Sequence, residues 1–397
     1  MALLIRIYAI IFGMETMLYM TRPVISLLGT QLGASTFDIG MLTASYAFLP
    51  VIFAIYLGKM TDRIGDKIPN IAGVIGMMVG LSLPYVWPSL TALYISQMII
   101  GIARIMVTIS LQNMVGRIAS PAQRDQYYGW FSMSVALGGV FGPVLGGYIA
   151  HNTSYVHTFF ISVLVGIIPF LLCWFIPTQM GERSLPSLNH AKTNRPDTST
   201  GGSFSLLRSS TLRKALLSSA LVLYSRDIFV AYFPLLGAEW GMSDIGIGWI
   251  IAIQSMAMVA VRLFLSPLTK RYSREVVLIG SILTAGIAFM LVPLTSPFIL
   301  MAIISAAMGL GLGCGQPLSM TTIFNASPPD RTGEVLGLRL MSNRLSQMIA
   351  PLFFGFIGAS AGIASVFYLS GIFLIGGALV TRTPSPKIER ADQGRGI

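Results

Sequence analysis

The segment GKMTDRIGDK (58–67) separates two apolar runs, and an altered copy returns 208 residues later as SPLTKRYSRE (266–275). Working outward from that pair, further landmarks fall in the same register. Ile39-Gly40 aligns with Ile247-Gly248, and Gly142-Pro143 with Ala350-Pro351. Ser120-Pro121 and Arg124 match Ser327-Pro328 and Arg331, one residue out of step. Composition alone does not place several coincidences in one register. The chain is therefore read as two copies of one unit.

The units are apolar and helical. Of 397 residues, 54% are hydrophobic and only 10% charged, with a mean hydropathy of +0.74. Water-soluble domains carry about a quarter charged residues, so that class is excluded. A disulfide scaffold is excluded too, because the two cysteines, Cys173 and Cys314, both lie in apolar runs. Twelve apolar stretches follow one another at 5–29, 38–58, 69–88, 91–115, 127–150, 156–177, 215–236, 246–267, 275–294, 298–323, 334–358 and 364–381. A spanning helix takes about 20 residues, so a dozen with short loops use most of the chain. The 41 glycines suit helices that approach closely in lipid.

One connection is long. Residues 178–214, containing PSLNHAKTNRPDTSTGGS, are polar and biased enough to read as a linker. They divide a six-helix half (1–177) from a second (215–381), followed by a tail at 382–397. Within the linker region, SFSLLRSSTLRKA (203–215) mixes apolar and basic residues and is expected to lie along the inner interface. The expected fold is an all-α membrane protein of twelve transmembrane helices in two halves related by a pseudo-twofold axis. Parallel repeats of this kind are a recurrent transporter design, with the substrate site between the copies.

Basic residues orient the spans. The alternate loops near 30–37, 89–90, 151–155, 237–245, 295–297 and 359–363 contain no Lys or Arg, whereas the opposite loops hold Lys59, Arg63, Lys67, Arg117, Arg124, Lys270, Arg271, Arg274 and Arg331, among others. This asymmetry places both termini and the linker in the cytoplasm, as expected for a multi-pass protein of the plasma or inner membrane. The net charge of +11 is then mostly topological, and nucleic acid is not an expected partner. The first stretch is too long for a secretory signal, contains Glu15 and Arg22, and lacks a small-x-small cleavage site.

Over essentially its whole length the chain resembles the major facilitator superfamily. The 58–67 segment is similar to that family's loop motif, with Gly58, Asp62, Arg63, Gly65 and Lys67 in place. Asp66 departs from the usual basic residue, and the second copy lacks both the acid (Lys270) and the last glycine (Ser273). Glycine permits close approach and a tight reversal at this loop, and Asp62 is placed to sit near a helix N-terminus. The resemblance implies that Asp62 helps hold the cytoplasmic side shut; the plainer alternative is a solvated turn that only sets topology.

The fifth stretch carries Gly129, Gly138, Gly142-Pro143 and Gly146-Gly147 at the spacing of the family's antiporter motif. Such glycines clear a face for a neighbouring helix, and Pro143 removes one intrahelical bond and is expected to bend the helix. Tight packing without motion is the alternative. In another respect the chain departs from exporters of this kind. Their fourth helix has Arg four residues before a glycine, a position that here is Gln97. Arg104 lies two turns further along the same face and is the expected substitute.

Ionisable groups at bilayer depth are costly, so each is a candidate for function. Glu15 in the first stretch and Asp227 in the seventh are the two deeply placed acids. The resemblance implies that these helices line one cavity, so both acids are expected to face a common space. Burial raises a carboxyl pKa and a neighbouring Arg lowers it. A carboxyl alternating between such surroundings can carry a proton; the alternative is a static ion pair. The deep cations are Arg104, Arg226, Arg22 and Arg344, with Arg339 expected to snorkel towards the cytoplasm and Arg262 expected to be structural. Tyr19, Asn113, Tyr224, Gln254, Gln316, Asn343 and Gln347 are polar cavity candidates, although helix–helix hydrogen bonding suits any one of them.

His151, His157 and His190 show no metal-ligand spacing, and no lysine follows the glycines of 309–317 as a nucleotide loop requires. Neither a metal nor any other cofactor is expected, and no enzyme chemistry. The leading expectation is a monomeric secondary transporter that exports a small organic compound in exchange for protons. The surplus of Arg over acid favours an anionic or zwitterionic substrate. A facilitator or proton symporter is the nearest alternative, and a non-transporting membrane receptor is the alternative from another class.

Overall fold

A computed structural model describes residues 2–118, 124–176, 208–326 and 332–381. The first half contains α1 (Ala2–Gln31), α2 (Thr36–Ile64), α3 (Lys67–Val86), α4 (Leu90–Ile118), α5 (Arg124–Asn152) and α6 (Tyr155–Trp174). The second half contains α7 (Ser210–Glu239), α8 (Asp244–Leu263), a short α9 (Leu265–Arg271), α10 (Arg274–Leu291), α11 (Phe298–Ala326), α12 (Thr332–Ala361) and α13 (Ile363–Thr381). Twelve of these are long, matching the twelve apolar stretches. The major difference is at 246–267, where the expected single helix stops at Leu263 and restarts as α9.

The repeat is written into the turns. Gly33 and Gly241 both take positive φ, at 87° and 71°, which only glycine adopts without strain. Two residues later Ser35 and Ser243 cap α2 and α8, their hydroxyls accepting from backbone N–H groups three residues on. Each of these pairs is separated by the same 208 residues that separate the two loop motifs. Equal sequence at equal register has produced equal local geometry.

Eleven of the described helices carry an apolar window long enough to cross a membrane. The remaining long helix, α12, has 30 residues and carries Arg339, Asn343, Arg344 and Gln347. Its polarity belongs to an inward face. Around the outside, large apolar residues are exposed: Ile52, Ile168, Ile299, Ile303 and Phe356 all stand clear of the bundle. In water such a girdle would drive aggregation, whereas lipid is its natural solvent. The protein is a multi-pass membrane protein.

Within each half, glycines let backbones meet. A methyl group at Gly138 would lie 2.6 Å from Cβ of Glu15, and one at Gly142 would lie 2.5 Å from Cβ of Tyr19. Gly146 meets the carbonyl of Met20 still more closely. These three antiporter-motif positions therefore seat α5 against α1. Gly147 and Pro143 turn instead towards α8, meeting Asp244 and Gly248. A methyl group at Gly129 would meet nothing within 4 Å among the described residues, so this position does not seat α5 against α1.

The start of α7 differs from expectation. Helix begins at Ser210 after the N-cap Ser209, so 210–214 belong to α7 and not to the linker. Leu212 and Leu216, one turn apart, bury against Val335 of α12. That contact takes this part of 203–215 into the bundle and away from an interfacial position; 203–207 lie outside the described residues, as do most of 178–214 and the tail 382–397.

Candidate functional site

The deep charged residues are joined in one polar chain. Glu15 on α1 is 1% exposed, because α5 closes over it at Gly138. From α4, Arg104 grips it with Nε donating to Oε1 at 3.0 Å and Nη2 donating to Oε1 at 2.8 Å and to Oε2 at 3.0 Å. Such a forked, charge-assisted contact is among the strongest hydrogen-bonded pairs a protein makes. The remaining arm of Arg104, Nη1, donates to the Tyr46 hydroxyl of α2 at 2.7 Å.

Tyr46 then passes the chain on. Its ring lies 4.6 Å from the guanidinium carbon of Arg22, within cation–π range. Arg22 donates from Nη1 to Oδ1 of Asp227 at 2.8 Å, joining α1 of one half to α7 of the other. The second carboxylate oxygen of Asp227 accepts from Nε2 of Gln347 at 2.7 Å, and Oε1 of Gln347 accepts from Arg344 at 3.1 Å. Two acid–base pairs thus sit in series, one inside the first half and one between the halves.

The two acids differ in what surrounds them. Asp227 lines a small cavity of about 30 Å³ together with Arg22, Tyr46, Gln97 and Gln347, enough for water and little more. Glu15 is not among its lining residues. Gln97, the position where the resembling exporters carry Arg, is 6% exposed, and among the described residues its Nε2 has no hydrogen-bond partner. Arg104, two turns further along α4, is the arginine that meets Glu15.

Arg226 and Asp227 diverge as neighbours on a helix do. Arg226 lies over the ring of Tyr19 at 5.2 Å, and Tyr19 also receives Arg22 at 5.7 Å. A larger cavity of about 390 Å³ begins beside Arg226 and is bounded by α5, α7, α8, α11 and α12. Two expectations change here. Arg339 is 8% exposed and lines this cavity, so it turns between the halves and does not snorkel. Arg262 also lines it and reaches across the halves to Ser132 Oγ at 3.3 Å, more than a local structural contact.

The other polar candidates separate into kinds. Asn343 accepts from Ser219 at 3.0 Å and Gln254 donates to the Met308 sulfur at 3.0 Å, so both tie helices of the second half together. Tyr224 is buried and stacks on Phe354 at 5.6 Å. Asn113 is half-buried on α4. The side chains of Gln316, Gly58, Asp62 and Arg63 lie outside the described residues, and with them the expected gate contact. Gly65 ends α2 with φ 78°, the tight reversal expected of it, and Lys67 opens α3.

Two features escaped the sequence reading. Tyr46 bridges both acid–base pairs, and its only signal was a hydroxyl inside an apolar stretch. Asp66, noted only as a departure from the motif, is buried and paired with Arg117 at 3.0 Å. Its backbone carbonyl accepts from Ser110 at 2.8 Å and Asn70 at 2.8 Å, pinning α3 to α4.

A family model described as Major Facilitator Superfamily matches residues 7–217 and 215–396. The Quinolone resistance protein NorA of Staphylococcus aureus is 22% identical over 90% of this chain and 90% of its own. The Tetracycline resistance protein, class H, of Pasteurella multocida is 25% identical over 86% of this chain and 83% of its own. Among solved structures, a POT family transporter in complex with 5-aminolevulinic acid superposes with a TM-score of 0.78 at 14% identity, covering 95% of this chain and 94% of that one. That likeness is one of fold.

Proposed function

The chain belongs to the major facilitator superfamily, and we propose that it exports a small organic compound in exchange for protons by alternating access. In this reading both termini face the cytoplasm, as the basic loops suggest. The observation that carries the proposal is Glu15, sealed from solvent and held by the Arg104 fork. Its position on α1 is packed against the antiporter-motif Gly138, so a change in its charge acts on the helix pair α1–α5.

A proton arriving at the Glu15 carboxylate cancels the charge that Arg104 grips. The fork then weakens from a charge-assisted contact to an ordinary one, while Arg104 keeps its bond to Tyr46. Through the Tyr46 ring that displacement reaches Arg22, whose pair with Asp227 joins the halves. Proton binding in one half is thereby coupled to a contact that alternating access has to rearrange. The names of the two drug-resistance relatives support export as the direction of transport.

Reconstituted protein tests the reading. Substrate flux is followed in proteoliposomes with and without an imposed pH gradient. Glu15→Gln and Asp227→Asn are expected to lose gradient-driven flux while substrate counterflow survives. Gradient-driven flux at parental rates in both variants would reject proton coupling through these acids.

A further inference from the structure

The 390 Å³ cavity has an uneven charge. Arg226, Arg262 and Arg339 line it with Ser132 and Ser255, and no carboxylate does among the described residues. Neither Arg226 nor Arg262 has an ion-pair partner among the described residues. Arg226 is engaged by the Tyr19 ring, and Arg262 by long contacts to Gly313 O at 3.4 Å and Ser132 Oγ at 3.3 Å. Taking a guanidinium out of water without an anion is costly. The cavity volume lies within the range of small-molecule sites.

A second cavity of about 360 Å³ adjoins the first on the flank of the bundle, between α5 and α8. The two share Ser132, Ala136, Val259 and Arg262. The flank cavity is walled by Trp130, Met133 and Leu263, all exposed on the apolar surface of the bundle. A largely apolar cavity carrying surplus positive charge thus adjoins, past Arg262, an apolar crevice that meets the lipid.

Resting on the exporter reading, we propose that the compound carried is a single-tailed amphipathic organic anion. Its carboxylate, sulfonate or phosphate head sits between Arg226 and Arg262, and its tail lies in the α5–α8 crevice. A planar guanidinium presents paired donors that match such oxyanions. The same two charges repel an amphipathic cation of equal size, which makes the selectivity a matter of rejection as well as attraction. Entry from the membrane follows, because the crevice receives the tail without first taking it through water.

Equilibrium binding to the full chain in zwitterionic-lipid nanodiscs tests this, with empty nanodiscs as background. The probes are dansyl-labelled undecanoate, a dansyl-labelled undecylammonium of matched length, and dansylglycine as an anion without a tail. The undecanoate is expected to bind at least about tenfold more tightly than the ammonium, and Arg226→Gln and Arg262→Gln are each expected to weaken it by about tenfold. Arg226→Lys and Arg262→Lys restore part of the loss. Met133→Trp, which fills the crevice, weakens undecanoate and leaves dansylglycine unchanged. Equal or tighter binding of the ammonium, or parental undecanoate binding in both Gln variants, overturns the proposal. No pH gradient is applied, so failure of proton coupling leaves this readout untouched, and a proton-driven cation exporter would fail here while passing the flux test.

Discussion

Gly40 of α2 packs directly on the backbone carbonyl of Pro351 in α12, and the same contact recurs where Gly248 of α8 packs on the carbonyl of Pro143 in α5. In each case a second glycine completes the crossing, with Gly355 at the first and Gly147 at the second. The three residues of one crossing map onto those of the other at the repeat spacing of 208. Both crossings join the two halves near the turns at Gly33–Ser35 and Gly241–Ser243. That end of the bundle is closed by two glycine seams.

A β-carbon in either seam would overlap backbone, which cannot move aside as a side chain can. Gly40→Val and Gly248→Val are therefore expected to hold this end open and to abolish transport. Spin labels at Thr153 and Met242, in a background lacking Cys173 and Cys314, should report a longer distance in the Gly248 variant. Gly280→Ala in α10 serves as the control and should leave distance and transport unchanged, since its added methyl would meet nothing within 4 Å among the described residues. The seam variants are expected to cost about 1–3 kcal/mol in this conformation, the usual range for overpacking.

The Arg22–Asp227 pair should show the asymmetry of partly buried ion pairs. Asp227→Asn leaves a guanidinium without its anion and should lower the unfolding midpoint in detergent. Removal of one partner of a fully buried pair costs about 3–5 kcal/mol, and the 20% and 12% exposure of these side chains places this one below that range. Arg22→Gln combined with Asp227→Asn should recover part of the loss. A double variant less stable than either single one would contradict the pairing.

Tyr46 offers a separation of its two contacts. Tyr46→Phe keeps a ring for Arg22 but removes the hydroxyl that accepts from Arg104, whereas Tyr46→Leu removes both. Loss of one hydrogen bond to a charged group is worth about 1.5–3 kcal/mol. Gradient-driven flux is expected to fall in Phe and further in Leu, and equal rates in the two would show that the cation–π contact contributes nothing.

On α3 and α4, Arg117→Gln should destabilise the protein by leaving the Asp66 carboxylate buried without its cation. A cost of about 1–3 kcal/mol is expected for the loss of this charged partner. Asp66→Asn added to Arg117→Gln should restore much of the midpoint, measured by thermal unfolding. This pair lies away from the Glu15 and Asp227 chain, so counterflow in the double variant is expected at parental rates.

Some of the site was legible before the fold. Glu15, Asp227, Arg104 and Arg22 stand out because a charge in an apolar stretch is visible in one dimension. The roles of Tyr46 and Arg262 were not. A tyrosine in an apolar run is ordinary, and a basic residue near a helix end is ordinary too, until a neighbouring helix turns them inward.

The sequence by itself determined that twelve long helices, nearly all apolar throughout, form two equivalent halves. Apolar length, turn glycines, serine caps and the 208-residue register are local properties, read along the chain without knowing what lies beside it. Tertiary structure alone decided which charge meets which. Glu15 finds Arg104, while Asp227 finds Arg22 in the other half, because helix rotation and crossing point choose partners that sequence separation does not. The same packing left Arg226 and Arg262 facing a cavity that no acid lines among the described residues, and turned the excess of arginine in the composition into a site with a sign.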